Sequence, residues 1–120
     1  MLTASRKSPK SAPVFSDVIP DADLDRNAAI ARIRTALRLR SGKAWSVTGG
    51  RGTAYGWITI RARGGDSMDP ATRVELAALL GLSLVHPNGV LVMASYDGRR
   101  EFIDRAEGRT PRKIAEPYWD

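Results

Sequence analysis

The side chains of this chain best suited to bind a ligand are aromatic and basic, and they lie two or four positions apart in one β-prone stretch. Tyr55, Trp57 and Arg61 occupy odd-numbered positions, so they would project from the same side of a strand. Ile58 and Ile60 would project from the opposite side, where a core could bury them. If both isoleucines are buried, the open side of the sheet presents two aromatic rings and a guanidinium.

A face of aromatic and basic side chains suits two kinds of partner. Exposed rings stack on the bases of single-stranded nucleic acid, while cations follow its phosphates. Aromatic and arginine side chains also anchor protein interfaces. A third interpretation is structural, because Trp57 could be covered by the N-terminal segment or by Tyr118 and Trp119.

Positive charge is concentrated in and before that stretch. The chain has 120 residues and a formal net charge of +6, and residues 26–63 hold nine basic side chains and no acidic one. Such asymmetry favours a polyanionic partner, although a basic solvated helix is the simpler alternative for the helical arginines. The residues predicted to bind nucleic acid are Arg34, Arg38, Lys43, Arg51, Arg61 and Arg63 through phosphates, with Tyr55 and Trp57 stacking or packing.

Other chemical motifs are weaker. His86 is the single histidine and precedes Pro87, a context typical of a turn rather than of acid–base catalysis. The glycine-dense stretch 49–56 is followed by a strand, whereas a phosphate-binding loop requires a helix at that place. We therefore expect a hairpin tip that carries Arg51.

The arrangement of the carboxylates and the lack of cysteine both argue against a catalytic or metal centre. Asp97, Glu101 and Asp104 alternate with arginines, which favours a solvated helix face with paired charges over a metal cluster. The chain has no cysteine, so disulfides, thiolate metal sites and a cysteine nucleophile are excluded. We expect a protein that is not an enzyme and that uses no metal and no small-molecule cofactor.

The elements that must position these side chains are helices interspersed with hairpins. Apolar periodicity, capping residues and glycine or proline turns mark their limits. The predicted order is a helix over 25–40, a hairpin over 44–62, a helix from Asp69-Pro70 to Gly81, a short hairpin over 82–93, and a helix from Ser95 or Asp97 to about Glu107. The predicted fold class is α+β, with an antiparallel sheet that carries helices packed on one face.

The length suits one domain. Residues 1–20 predict a tail that is either flexible or docked as a strap through Val14, Phe15, Val18 and Ile19. Residues 21–120 predict a single α+β domain with an extended C-terminal segment, 109–120. No apolar run approaches the roughly 20 residues of a membrane span, and no signal peptide is recognisable, so we expect a cytoplasmic protein without a membrane partner.

Residues 30–62 resemble a group of small accessory domains. Ile33-Arg34 and Ala36-Leu37, the run from Ser41 to Thr48, and the run from Ala54 to Ile60 together resemble domains found in large polyvalent proteins of phages and conjugative elements. Those domains share a basic helix, a strand that begins near a lysine and an aromatic residue, and a Gly/Ser-rich hairpin. The resemblance implies a bacterial or phage accessory protein that acts near nucleic acid or a host machine, and it assigns no functional residue.

Two functions follow as hypotheses. The first is a non-catalytic nucleic-acid-binding accessory protein that uses the basic helix and the glycine-rich hairpin, with contacts that are salt-dependent and tolerant of sequence. The alternative is a protein–protein interaction factor, a modulator of a host complex, whose basic residues meet an acidic protein surface. DNA and RNA are not distinguished.

Overall fold

The computed structural model describes residues 15–64 and 67–115. Three helices and three strands follow a short 3-10 turn at Asp21–Leu24. They are α1 (Arg26–Ser41), β1 (Trp45–Gly49), β2 (Ile58–Ala62), α2 (Pro70–Leu80), β3 (Val90–Val92) and α3 (Tyr96–Ala106). The predicted roles of Val14, Tyr118 and Trp119 lie outside the described residues.

One antiparallel sheet in the order β1-β2-β3 forms the centre of the fold. Val47 pairs with Ile60, and Ile58 pairs with Val92, so their side chains share one face of the sheet. All four are fully buried. Helices α1 and α3 contact the sheet and each other, and α2 packs against both helices. The α+β class and the buried isoleucine face are confirmed.

Helix α1 forms where its apolar residues recur at helical spacing. Ile30, Ile33 and Leu37 are buried along one side. The helix ends at Gly42, which has a φ of +79° and donates its N–H to the carbonyl of Arg38. Glycine adopts this left-handed conformation without the steric cost that a Cβ would add. The chain then turns back at once, so β1 runs beside the helix that precedes it.

The second predicted hairpin is wrong in its first arm. Residues 82–85 form no strand, and His86 makes one isolated bridge to Gly89. Strand β3 pairs with β2 instead, since Val90 and Val92 lie opposite Ile60 and Ile58 there. Pairing with β2 joins four apolar side chains, those of Ile58, Ile60, Val90 and Val92, on the core face of the sheet.

The prediction of a solvated carboxylate face on α3 is wrong for two of its three residues. Glu101 and Asp104 are buried. Asp104 accepts hydrogen bonds from Arg109 and Arg112, both of which lie beyond the end of α3. Glu101 pairs with Arg105 one turn away, as helical spacing predicts, and also accepts from the backbone N–H of Ala115. These carboxylates hold the segment after α3 against the helix.

The N-terminal residues that the structure describes also lie against the domain. Ile19 is buried in the core and Phe15 packs on it, whereas Val18 is exposed. The carbonyl of Ser16 accepts from Arg32 of α1 and Arg109, and that of Asp17 accepts from Arg112. Residues 15–20 therefore lie as a strap between α1 and the C-terminal segment.

Asp69 begins α2 and provides a pH-dependent prediction. Its carboxylate accepts the backbone N–H of Thr72 at 2.7 Å, and this hydrogen bond lowers the pKa of Asp69 below its ordinary value. A lowered pKa means that the stabilisation is present above the ordinary aspartate pKa of about 3.9 and is lost as the pH falls through the lower, folded value. We expect Asp69→Ala to lower the melting temperature at pH 7, and the difference from the unsubstituted protein to shrink as the pH falls below the ordinary aspartate pKa.

A matched control for this cap lies at the start of α1. Asp25 occupies the same N-cap position there but makes no side-chain cap hydrogen bond. Asp25→Ala should therefore change the melting temperature less than Asp69→Ala at pH 7. An equal loss for both variants would show that the cap hydrogen bond is not the cause.

Candidate functional site

Helix α1 runs antiparallel to β1 along the free edge of the sheet. Near the helix start, the Arg26 guanidinium donates to the carbonyl of Gly50 at 3.1 Å. In the middle, Arg34 donates to the carbonyl of Val47 at 2.7 Å. At the helix end, Trp45 Nε1 donates to the Ser41 hydroxyl at 2.9 Å. One side of α1 is therefore aligned with the whole length of β1.

The pairing pattern shows which polar groups of β1 face this edge. Gly50 donates its N–H to the carbonyl of Trp57 at 2.8 Å, so this residue pair is hydrogen-bonded. Hydrogen-bonded and non-bonded pairs alternate in an antiparallel ladder. Val47 consequently turns its backbone N–H and C=O away from β2, toward Arg34. Among the residues that the structure describes, no strand pairs with this edge of β1, which lies beside Arg26 and Arg34.

A groove of about 360 Å³ lies at this edge. Its described lining combines three arginines with the stretch from Ala44 to Thr48 and contains no carboxylate. The arginines are Arg34 and Arg38 from α1 and Arg63, which follows β2. Arg38 and Arg63 are exposed, and their side chains make no hydrogen bond or ion pair with the residues the structure describes. The structure thus brings together three of the predicted phosphate ligands.

Lys43 lies two residues before β1 and forms an ion pair. Its ammonium is 2.7 Å from a carboxylate oxygen of Glu75 on α2 and 5.2 Å from the centroid of the Trp45 ring. The ion pair offsets part of the charge that Lys43 could offer to a phosphate.

The connector between β1 and β2 is a 3-10 turn at Gly52–Ala54. Arg51 precedes the turn and is exposed. Tyr55 follows it, and the Arg26 guanidinium lies over the Tyr55 ring, 3.8 Å from the centroid. The hairpin tip therefore holds the exposed Arg51 and the Tyr55 ring, which has the Arg26 guanidinium against one of its faces.

The period-two prediction fails for Tyr55. Residues 52–55 are in the turn, and β2 begins only at Ile58, so alternation does not place Tyr55 on the same strand face as Trp57. Trp57 and Arg61 are half-buried, and Arg61 lies opposite Ser46 on the sheet face away from the core. The structure separates seven of the eight predicted residues into an edge groove, a hairpin tip and this outer sheet face, and it places the eighth, Lys43, beside Glu75.

Two arginines of the basic stretch serve the fold. Arg32 donates to Glu107 at 2.6 Å and to Asp23 at 3.0 Å, and the hydrogen bond to Glu107 raises the pKa of Arg32 despite burial. Arg40 donates to the carbonyls of Leu79 and Ala106 at the ends of α2 and α3, and burial lowers its pKa. These arginines are not available to a ligand.

Arg26 is the site residue that sequence reasoning did not select. It lies 29 residues from Tyr55, and no local motif links the two positions. A basic residue at the first position of a helix carries no signal for a distant aromatic partner. Only the return of the hairpin to the start of α1 brings them together.

Within 15–64 and 67–115, no three His, Asp or Glu side chains converge as metal ligands would. His86 is exposed, and its Nδ1 accepts the backbone N–H of Asn88 at 3.0 Å. The histidine thus belongs to the turn that its sequence context predicts.

The fold and the site define a small α+β domain with a basic groove along a sheet edge. Comparison with protein-family models, curated proteins and solved structures finds no match to this chain. Across the described ranges, none of the helices has the length and apolar character needed to span a bilayer.

Proposed function

We propose that this protein is a non-catalytic nucleic-acid-binding accessory protein, and that the groove between α1 and the edge of β1 contacts the phosphates. One observation supports the proposal above all. The described lining of the groove holds Arg34, Arg38 and Arg63 and no carboxylate. A groove with three guanidinium groups and no internal counter-charge attracts a polyanion, and binding releases the counterions of that polyanion.

The form of the groove also suits a phosphate backbone. Arg34 is held in place by its bond to the Val47 carbonyl, whereas the exposed side chains of Arg38 and Arg63 can turn toward a ligand. Arginine presents a planar array of donors that matches phosphate oxygens. Contacts of this type carry no sequence information, so binding should be tolerant of base sequence.

A salt titration tests the proposal. A labelled 20-nucleotide oligonucleotide should bind with micromolar affinity in 50 mM salt, as measured by fluorescence anisotropy. Three phosphate contacts on a single strand give a slope of about −2 in log K against log salt, so the affinity should fall about twentyfold between 50 and 200 mM. Absence of micromolar binding at 50 mM salt would overturn the proposal.

The outer edge of β1, which no other described strand pairs with, favours a second candidate, a protein–protein interaction factor. A strand of an acidic partner could pair with the outward N–H of Val47 while its carboxylates meet Arg38 and Arg63. An acidic peptide with the same charge as the oligonucleotide separates the two candidates. Tighter binding of the peptide would favour the protein partner, and tighter binding of the oligonucleotide would favour nucleic acid.

The cellular setting belongs to the proposal as well. The resemblance of residues 30–62 to accessory domains of large polyvalent proteins supports a role in a phage or a conjugative element. The cysteine-free sequence suits a reducing compartment, in keeping with a cytoplasmic location.

A further inference from the structure

We infer that Tyr55, held by Arg26, is a stacking platform for an unpaired base, and that the ligand of this protein is therefore single-stranded nucleic acid. The inference rests on the proposed function and specifies its ligand. It starts from a feature that the groove does not include, the aromatic ring at the hairpin tip.

Arg26 fixes both the ring and the backbone of Tyr55. Its guanidinium lies 3.8 Å from the ring centroid and donates to the carbonyls of Gly50 and Tyr55 at 3.1 and 3.2 Å. A cation over one face of the ring is a favourable contact. The ring is thus held from one face by the protein, while 55% of the residue remains exposed.

The turn that carries Tyr55 is closed by its own hydrogen bonds. Ala54 donates to the carbonyl of Arg51, and Tyr55 donates to that of Gly52. Gly50 packs so tightly that a Cβ there would lie 2.0 Å from the carbonyl oxygen of Ala54. A ring presented by a preorganised turn loses little freedom when a base stacks on it, which favours binding.

The position of the ring relative to the groove determines what can reach both. Arg34 contacts β1 at Val47, and Arg26 contacts the following turn at Gly50, so the groove leads along the strand toward Tyr55. The five residues of β1 span about 14 Å. A ligand that follows this edge can place phosphates on Arg38 and Arg63 and a base on Tyr55.

Away from the ends of a duplex, only an unpaired base offers Tyr55 a free face. Each interior base of a duplex is stacked on both sides, and stacking on a side chain first requires unstacking of the helix. In a single strand, a base can turn out and lie on an aromatic ring, irrespective of its sequence. A basic groove that can bind phosphates, together with the Tyr55 ring held on one face by Arg26, therefore favours single-stranded nucleic acid over a duplex.

The test compares a 12-nucleotide single strand with the blunt duplex of the same sequence, at 50 mM salt. We expect the single strand to bind at least tenfold more tightly. Tyr55→Ala should weaken single-strand binding about fivefold to a hundredfold, the range for loss of one stacked base, and should leave duplex binding unchanged. Tyr55→Phe keeps the ring and should bind like the unsubstituted protein.

Tyr96 provides the matched control. Its exposure of 57% is close to that of Tyr55, but it is the first residue of α3 and does not belong to the hairpin turn. Tyr96→Ala should leave both affinities unchanged. Circular dichroism of each variant verifies the fold. The fluorescence of 2-aminopurine, placed at successive positions of the single strand, reports stacking directly. Tyr55→Ala should abolish the quenching that protein binding causes.

The outcomes separate this inference from the function on which it rests. Equal affinity for single strand and duplex, tighter duplex binding, or no effect of Tyr55→Ala would overturn the stacking platform and leave a phosphate-binding protein. Absence of binding to either oligonucleotide would overturn both.

Discussion

Replacing Asp104 by alanine is expected to lower the free energy of unfolding by about 3 kcal/mol, the cost of breaking a buried ion pair from one side. The Asp104 side chain has 0% exposure. Its carboxylate accepts Arg109 Nε and Arg112 Nη2, each at 3.0 Å, and the backbone N–H of Arg112 at 3.3 Å. Without the carboxylate, Arg112 and Arg109 lose these hydrogen bonds, and Arg109 keeps its ion pair with Glu107 at 2.7 Å.

The loss should extend to the segments that those arginines join. Arg109 and Arg112 also donate to the carbonyls of Ser16 and Asp17 in the N-terminal strap. Release of both arginines would therefore loosen residues 15–20 and 109–115 together. A domain of this size is stable by only about 5–15 kcal/mol, so the change should be plain in urea denaturation.

Asp97 on the same helix is the control. Its carboxylate pairs with Lys113 at 2.9 Å, but both side chains are well exposed. Exposed pairs contribute at most about 1 kcal/mol, so Asp97→Ala should alter stability little. If Asp97→Ala and Asp104→Ala had equal effects, the buried carboxylate would not have the anchoring role described above.

The second large effect concerns ligand affinity. The double variant Arg38→Ala, Arg63→Ala should weaken oligonucleotide binding about tenfold at 50 mM salt and reduce the slope of log K against log salt by about 1.4, or 0.7 for each lost single-strand contact. The fold should be unchanged, because neither side chain has a polar contact with the residues that the structure describes. Anisotropy titrations at four salt concentrations measure both quantities.

The control for that variant removes the same charge elsewhere. Arg100 and Lys113 already lie near carboxylates, those of Asp21 and Asp97, and neither lines the groove. The double variant Arg100→Ala, Lys113→Ala should leave the salt slope nearly unchanged. If the two double variants weakened binding equally, net charge rather than the groove would be the cause.

Much of the fold could be predicted from short-range signals. Asp69 with Pro70, Ser95 before α3, and Gly42 after α1 mark helix ends through contacts within a few residues. The alternation of Ile58 and Ile60 predicts which face of β2 is buried. The sequence did not predict that β3 pairs with β2, because residues 82–85 and 90–93 have similar β propensity. The apolar face of β2 determines that residues 90–92 become its partner strand.

The candidate site was predicted only in part, for a related reason. The sequence identifies Arg34, Arg38 and Arg63 as members of a basic stretch. A basic stretch does not show, however, which of its side chains form ion pairs within the folded protein. Arg32 is paired with Glu107, 75 residues away, and Lys43 with Glu75. Alternation likewise grouped Tyr55 with Trp57, because nothing local revealed that the turn ends after Tyr55.

Local signals predict the aromatic and basic character of the hairpin, the α+β class and most helix limits, because these depend on periodicity and capping over a few residues. Which of these side chains stay exposed depends on contacts between distant parts of the chain. Arg26 reaches Tyr55, and Asp104 reaches Arg109 and Arg112, through contacts that exist only after chain segments pack. Packing places Arg38 and Arg63 beside the edge of β1. It pairs Arg32 with Glu107 and directs Arg40 to the carbonyls at the ends of α2 and α3. It also places Tyr55 in the hairpin turn, with the Arg26 guanidinium against one face of its ring, and not on a strand face.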